Sequence, residues 1–297
     1  VIEPIGTIAR SITSPADRIR WACVLEATAP KAGNVFPGAA FSDLRYADFV
    51  LAADAIAEPL AGDQTAGCGG RILDAVRRTR QVCHSNVNLG MVLLLGPLVE
   101  AERVRQVKQV TLQQAVRLVL AGLTADDSRD VYRAIRIAGA GGLDGPQGRD
   151  RPQQMDVHQP APHSLIAAMR SAAHRDDIAR QYATDFEDLL GPRVLGKVRA
   201  AISDSGDVLA GIQRAQIELL ADRVDTLIVR KVGMDVARQV QQHAASVRAA
   251  ADFASAWQAF DSSLRADGHR RNPGTTADLI AAALWCLLGE AEGSAIG

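Results

Sequence analysis

The chain has 297 residues, 47% of them hydrophobic and 23% charged, with a net charge of -1. That balance supplies a sizeable core and offers no basic surface for nucleic acid or an anionic membrane. The four cysteines, Cys23, Cys68, Cys83 and Cys286, show no metal spacing and read as reduced thiols of a cytoplasmic protein. Val1 to Gly6 carries no basic stretch before an apolar core, so no signal peptide is expected there. The longest apolar run, Leu89 to Val99, is interrupted at Gly96-Pro97 and is too short to span a bilayer.

Ser14-Pro15 predicts a helix start, serine as N-cap and proline at the first helical position, with the helix ending before Pro30. Ile19, Ala22 and Cys23 form its apolar stripe, and Glu26 falls at the next position, facing inward or at the core rim. Pro30-Lys31-Ala32-Gly33-Asn34-Val35 then reads as a turn carrying a cation and an amide. Ser42 predicts the cap of a second helix, to about Leu60. Gly62 to Gly67 has the glycine spacing of a phosphate loop, but Cys68-Gly69 stands where Lys and Ser/Thr are required and no strand precedes it. A third helix covers about Arg71 to Val82.

Asn86-Val87-Asn88-Leu89-Gly90 opens an apolar helix. Capping is the preferred account of Asn86 and Asn88, although amides beside a glycine also suit a close-lying ligand. Thr111 caps a helix to about Leu123, and Thr124 with Asp127 three residues on resembles a capping box. Dipole compensation is the preferred account of Asp126, Asp127 and Asp130. Gly139 to His163 is one long Gly/Pro-rich loop, in which Gly141-Gly142 suits phosphate. Ser164 predicts the start of a long helix through Arg175-Asp176-Asp177 to Tyr182.

After a helix over about Val208 to Leu220, Asp225-Thr226 caps a short apolar segment ending in Arg230-Lys231. Those adjacent cations suit an anion, or simply a solvated helix C-terminus. Two more helices cover about Met234 to Ala251 and Phe253 to Ala266. Asn272-Pro273-Gly274-Thr275-Thr276-Ala277-Asp278-Leu279 then feeds a helix apolar on nearly every side, whose one charge between Arg271 and Glu290 is Asp278. Buried, that carboxylate needs a partner, a metal or a shifted pKa; the alternative is a first-turn acid beside an N-cap Thr275 or Thr276. Lysine is scarce, four against twenty-nine arginines, and Lys31 and Lys231 both lie in these polar segments, where a compact cation suits phosphate. No period-2 strands or repeats are evident. The expected fold class is all-α: a compact multi-helix bundle, one domain over 1–297, with short loops and the one long loop.

Taken together, the polar segments resemble the family of triphosphoribosyl-dephospho-CoA synthases over most of the chain, about 14–289. The likeness rests on Glu26-Ala27 with Lys31-x-Gly33-Asn34, on Asn86-x-Asn88-Leu89-Gly90, and on Val131-Tyr132-x-Ala134-Ile135 leading to Gly141-Gly142-Leu143. It continues in Arg175-Asp176-x-Ile178-Ala179-x-Gln181-Tyr182, in Asp225-Thr226-x-Ile228-x-Arg230-Lys231-x-Gly233, and in Asn272-Pro-Gly-Thr-Thr-Ala-Asp278-Leu279. Ala32, Ala140 and Val87 depart from the family's usual Pro, Pro and Thr, and the proven synthases read differently at the second, fifth and last segments. The chain therefore resembles the branch of uncharacterised relatives.

The resemblance implies an ATP-dependent transferase: the 2′-hydroxyl of dephospho-CoA attacks C1 of the ATP ribose and adenine leaves. It implies Asp278 as general base with Glu26 as second choice. Lys31, Arg175, Arg230 and Lys231 would then serve phosphates, and Asn34, Asn86, Asn88 and Asn272 ribose or adenine. Mg²⁺ would be held by acids among Asp127, Asp176 and Asp177. The partners implied are small molecules, with no nucleic acid or membrane; a homodimer stays open. Two other readings stay open too: another ATP- or phosphate-dependent step in cofactor biosynthesis, for example in a one-carbon or methanopterin-type pathway, and a non-catalytic helical nucleotide-binding protein.

Overall fold

A computed structural model describes residues 3–62, 64–139 and 160–295. Gly141, Gly142 and most of the long loop lie outside the described residues. Those described are helical, with no strand among them beyond one isolated bridge between Phe36 and Ala39. The fold is all-α.

The last helix, α16 (Gly274–Ala295), is the axle. Leu279 to Leu288 is buried on every side, Ala281 to Leu284 completely, as an all-round apolar sequence requires. Packed against it are α1 (Glu3–Ala9), α2 (Pro15–Thr28), α5 (Leu89–Lys108), α9 (Asp177–Ala183), α10 (Glu187–Leu190), α11 (Lys197–Ser205), α12 (Val208–Asp222) and α13 (Thr226–Val232). Outside these, α3 (Tyr46–Ala61) and α4 (Gly67–Val82) pack together, and α4 carries α7 (Ala125–Ala138). Gly69 marks how close that last contact is, because a Cβ there would meet the Asp127 backbone at 2.5 Å. The main core runs through all these helices except α13, joined by α6 (Leu112–Ala121) and α8 (Leu165–Ala172). A second cluster joins α12, α13, α14 (Met234–Ala249) and α15 (Phe253–Arg265) to Ala32. A third, smaller one holds Val35, Leu44, Ala52, Cys83 and Val87 together.

The predicted caps at Ser14, Thr111, Thr124, Ser164 and Asp225 each accept a backbone N–H of the following first turn. Two local expectations fail. Arg45, not Ser42, precedes α3, and Asp48 accepts its N–H at 2.7 Å. The helix expected from Ser164 to Tyr182 is two, because the Asp176 carboxylate caps α9 by accepting the N–H groups of Ile178 and Ala179. The helices α10 and α11, joined by a π turn over Pro192–Gly196, fill a stretch the sequence reading left unassigned.

Candidate active site

A cavity of about 640 Å³ opens where the three clusters meet. That volume suits a small organic ligand. Of the residues expected from sequence, Glu26, Asn34, Asn86, Asn88, Arg175, Asp176, Arg230, Lys231, Asn272 and Asp278 all line it, brought together from the first long helix to the last. Lys31, Asp127 and Asp177 do not.

Asp278 sits just past the first turn of α16 and faces the first turn of α5 so closely that a Cβ on Gly90 would lie 1.9 Å from its Oδ2. It accepts no hydrogen bond from another described residue. Burial pushes its carboxyl well above the usual range; Glu26, Asp225 and Asp176 add to this, and Arg230 opposes it. Glu26, on the last turn of α2, is also raised by burial, but Lys31 counters that. Lys31 Nζ lies 2.9 Å from Glu26 Oε1 and also donates to the backbone carbonyls of Glu26 and Ala29. Lys31 is fully buried and wholly occupied, so the expected phosphate contact gives way to a buried ion pair.

Asp225 organises the N-termini of two helices at once. Its Oδ1 accepts from Leu227 and Ile228 of α13, and its Oδ2 accepts the Thr276 N–H and hydroxyl of α16, both at 2.8 Å. The cap of α16 is therefore supplied from another helix, which leaves Asp278 free of that duty. Thr226 Oγ1 accepts from the Asp177 N–H and meets Thr275 Oγ1 at 3.2 Å, tying α9 to the same point.

The opposite wall is cationic. Arg230 Nη1 bonds Asp176 Oδ2 at 2.5 Å, while its buried Nε has no partner. Lys231 Nζ donates to His269 O at 3.3 Å, and burial with the neighbouring Arg230 lowers its pKa. Arg80 and Arg175 also face the space. The N-terminal turns of α5 and α16 add positive dipole ends. Asn86 Oδ1 caps α5 through the Leu89 N–H, and Asn88 Nδ2 is turned back to Thr79 and Ala52. The far side is apolar, with Leu93, Tyr132, Ile135, Ala168 and Met169.

The metal expectation for Asp127 and Asp177 needs correction. Asp127 accepts from the Thr124 N–H and hydroxyl and from the Gly69 N–H, each at 2.8 Å, joining α7 to α4. Asp177 is buried between Arg180 at 3.0 Å and Arg223 at 3.4 Å. Asp176 does face the cavity, but capping and Arg230 engage both its oxygens. Among the described residues no group of three or more His, Cys, Asp or Glu could hold a metal ion. Asp278 and Asp43 are the cavity acids engaged by neither a cap nor a lysine or arginine, too few for a metal cage built by the protein alone.

Sequence reasoning missed Asp43, His269 and the apolar wall. The nearest signal was His269, three residues before Asn272.

The family model for ATP:dephospho-CoA triphosphoribosyl transferase matches residues 12–295. The chain belongs to this family. A crystal structure of a candidate triphosphoribosyl-dephospho-CoA synthase from Archaeoglobus fulgidus superposes with a TM-score of 0.57 at 24% identity, covering 83% of this chain and 98% of that one. This likeness speaks for the shared fold. No protein of curated function matches the chain. The family is one of transferases, and among the described residues no helix is long and apolar enough to cross a membrane.

Proposed function

We propose that the protein is a triphosphoribosyl transferase acting on ATP and dephospho-CoA. The observation that carries this reading is the meeting, in one cavity, of an unpaired carboxyl, an anchored carboxylate and a cationic wall. The cations Arg230, Lys231 and Arg175, with the α5 and α16 N-termini, hold the triphosphate with its Mg²⁺. As the acceptor's 2′-oxygen bonds to C1′ of the ATP ribose, the C1′–N9 bond breaks and its electron pair leaves with adenine. Asp278 takes the hydroxyl proton and passes it on toward the departing base. A carboxyl held above the ordinary aspartate range is better matched to that task than an unperturbed one. Glu26, ion-paired with Lys31, stabilises the positive charge that develops at C1′.

Incubation with ATP, Mg²⁺ and dephospho-CoA, followed by chromatography, tests the reading. Free adenine and a triphosphoribosylated product are expected. Phosphate or ADP without adenine would replace the reading with another ATP-dependent step, and an ATP-inert protein would end it.

A further inference from the structure

One buried amide outside the cavity dictates the direction of two amides on its wall. Gln216, on α12, is completely buried and does not line the cavity. Its orientation is set by backbone: the Ala32 N–H donates to Oε1 at 2.7 Å, and Nε2 donates to Ala32 O at 2.9 Å. A peptide N–H cannot accept and a peptide C=O cannot donate, so Gln216 cannot turn over without opposing like groups. The second Nε2 hydrogen goes to Asn34 Oδ1 at 2.8 Å, which turns Asn34 Nδ2 toward Asn272 Oδ1, 2.5 Å away. The carbonyl of Asn272 is thereby used, and its Nδ2 donates to no described residue.

We propose that Gln216 is a positioning residue which, through Asn34, holds Asn272 with its amide nitrogen toward the cavity, so that this point of the site takes only a ligand atom carrying a lone pair. This deepens the transferase reading and rests on it for the ligand, ATP, whose phosphate and ribose oxygens fit that requirement. Anchoring the 30–35 loop does not need the relay. Asp261 Oδ1 already accepts the Gly33 N–H at 2.7 Å, and Arg265, which is paired with Asp261, donates to Asn34 O. Packing holds the loop as well: Gly33 has φ +72°, and a Cβ there would meet Leu264 at 2.9 Å. What the relay adds is direction. Amides bonded in series polarise one another, which strengthens the terminal donor.

Titration calorimetry with ATP on the full chain tests the assignment. In Gln216→Glu the donor to Asn34 is lost, Asn34 turns over, and Asn272 presents its carbonyl to the cavity. ATP affinity of the folded variant falls about tenfold or more. Gln216→Met, which adds no charge, frees the amides without reversing them and loses less. Asn272→Asp keeps the acceptor for Asn34, removes the donor, and loses at least as much as Gln216→Glu. A purely structural role for Gln216 would lower the melting temperature while leaving the affinity of folded protein unchanged, and that result overturns the proposal. Side-chain amide exchange by NMR decides it without ligand: in the wild type the Asn34 NH₂ is protected and the Asn272 NH₂ exchanges fast. The opposite pattern overturns the relay. A wild type that fails to bind ATP, with the expected exchange pattern intact, would remove the transferase reading alone.

Discussion

The contact between Gly90 and Asp278 converts a single methyl group into a test of the site. In Gly90→Ala the new Cβ would stand 1.9 Å from Asp278 Oδ2 and 2.5 Å from its Cγ. Non-bonded heavy atoms settle near about 3.5 Å, so the carboxyl must retreat by roughly 1 Å or more. A misplacement of about 1 Å at a reacting group costs on the order of a hundredfold in rate. At about 1.36 kcal/mol per factor of ten, that is about 2.7 kcal/mol of barrier. Stability carries a second signature. Alanine is the better helix former, by about 0.8–1 kcal/mol, but crowding a packed site costs about 1–3 kcal/mol. Gly90→Ala is therefore expected to destabilise the wild type and to stabilise an Asp278→Ala protein, where the obstruction is gone. Urea melts of the four proteins, with adenine release as the activity assay, measure both effects. The same sign and size of Gly90→Ala in the two backgrounds, or turnover within about twofold of wild type, would refute the geometry on which Asp278's role depends.

Three further outcomes are expected. The folded protein holds the Asp278 proton above the pH where the unfolded chain, near the ordinary value of 3.8, releases it; between those values stability falls as pH rises. Asp278→Asn removes that loss, so denaturant melts should show the variant gaining on wild type as pH climbs above 4, with turnover abolished throughout; a stability difference that stays flat with pH would contradict this. Lys31→Met strands the buried Glu26 charge and should cost about 3–5 kcal/mol in thermal melts, most of it recovered when Glu26→Gln is added, without recovery of turnover. Asp127→Ala should lose about 1–2 kcal/mol of stability from its cap while leaving kcat and the Mg²⁺ requirement alone; a changed Mg²⁺ requirement would restore it as a metal ligand.

Local chemistry was the legible part of the sequence. The caps at Ser14, Thr124 and Asp225 act within three residues of themselves, so spacing alone reveals them. Asp278 stood out because one charge in an apolar helix has few places to go. What escaped detection was set by distant partners. Lys31 reads as a loop cation suited to phosphate until Glu26 is seen to close on it in the core. Asp176 reads as a mid-helix acid suited to a metal, yet it ends one helix and begins another. Gln216 has no signature at all inside an ordinary amphipathic helix, because its meaning comes from a loop 184 residues away.

The central place of α16 has a consequence for how the molecule comes into being. Its wall of leucines and alanines is what α1, α2, α5 and α9 to α13 close upon, yet it is synthesised after all of them. Until then its future neighbours carry uncovered apolar stripes, a state prone to clumping and to capture by chaperones. Asp278 arrives on that same helix, so a nascent chain acquires this cavity carboxyl only in the act of sealing its own interior.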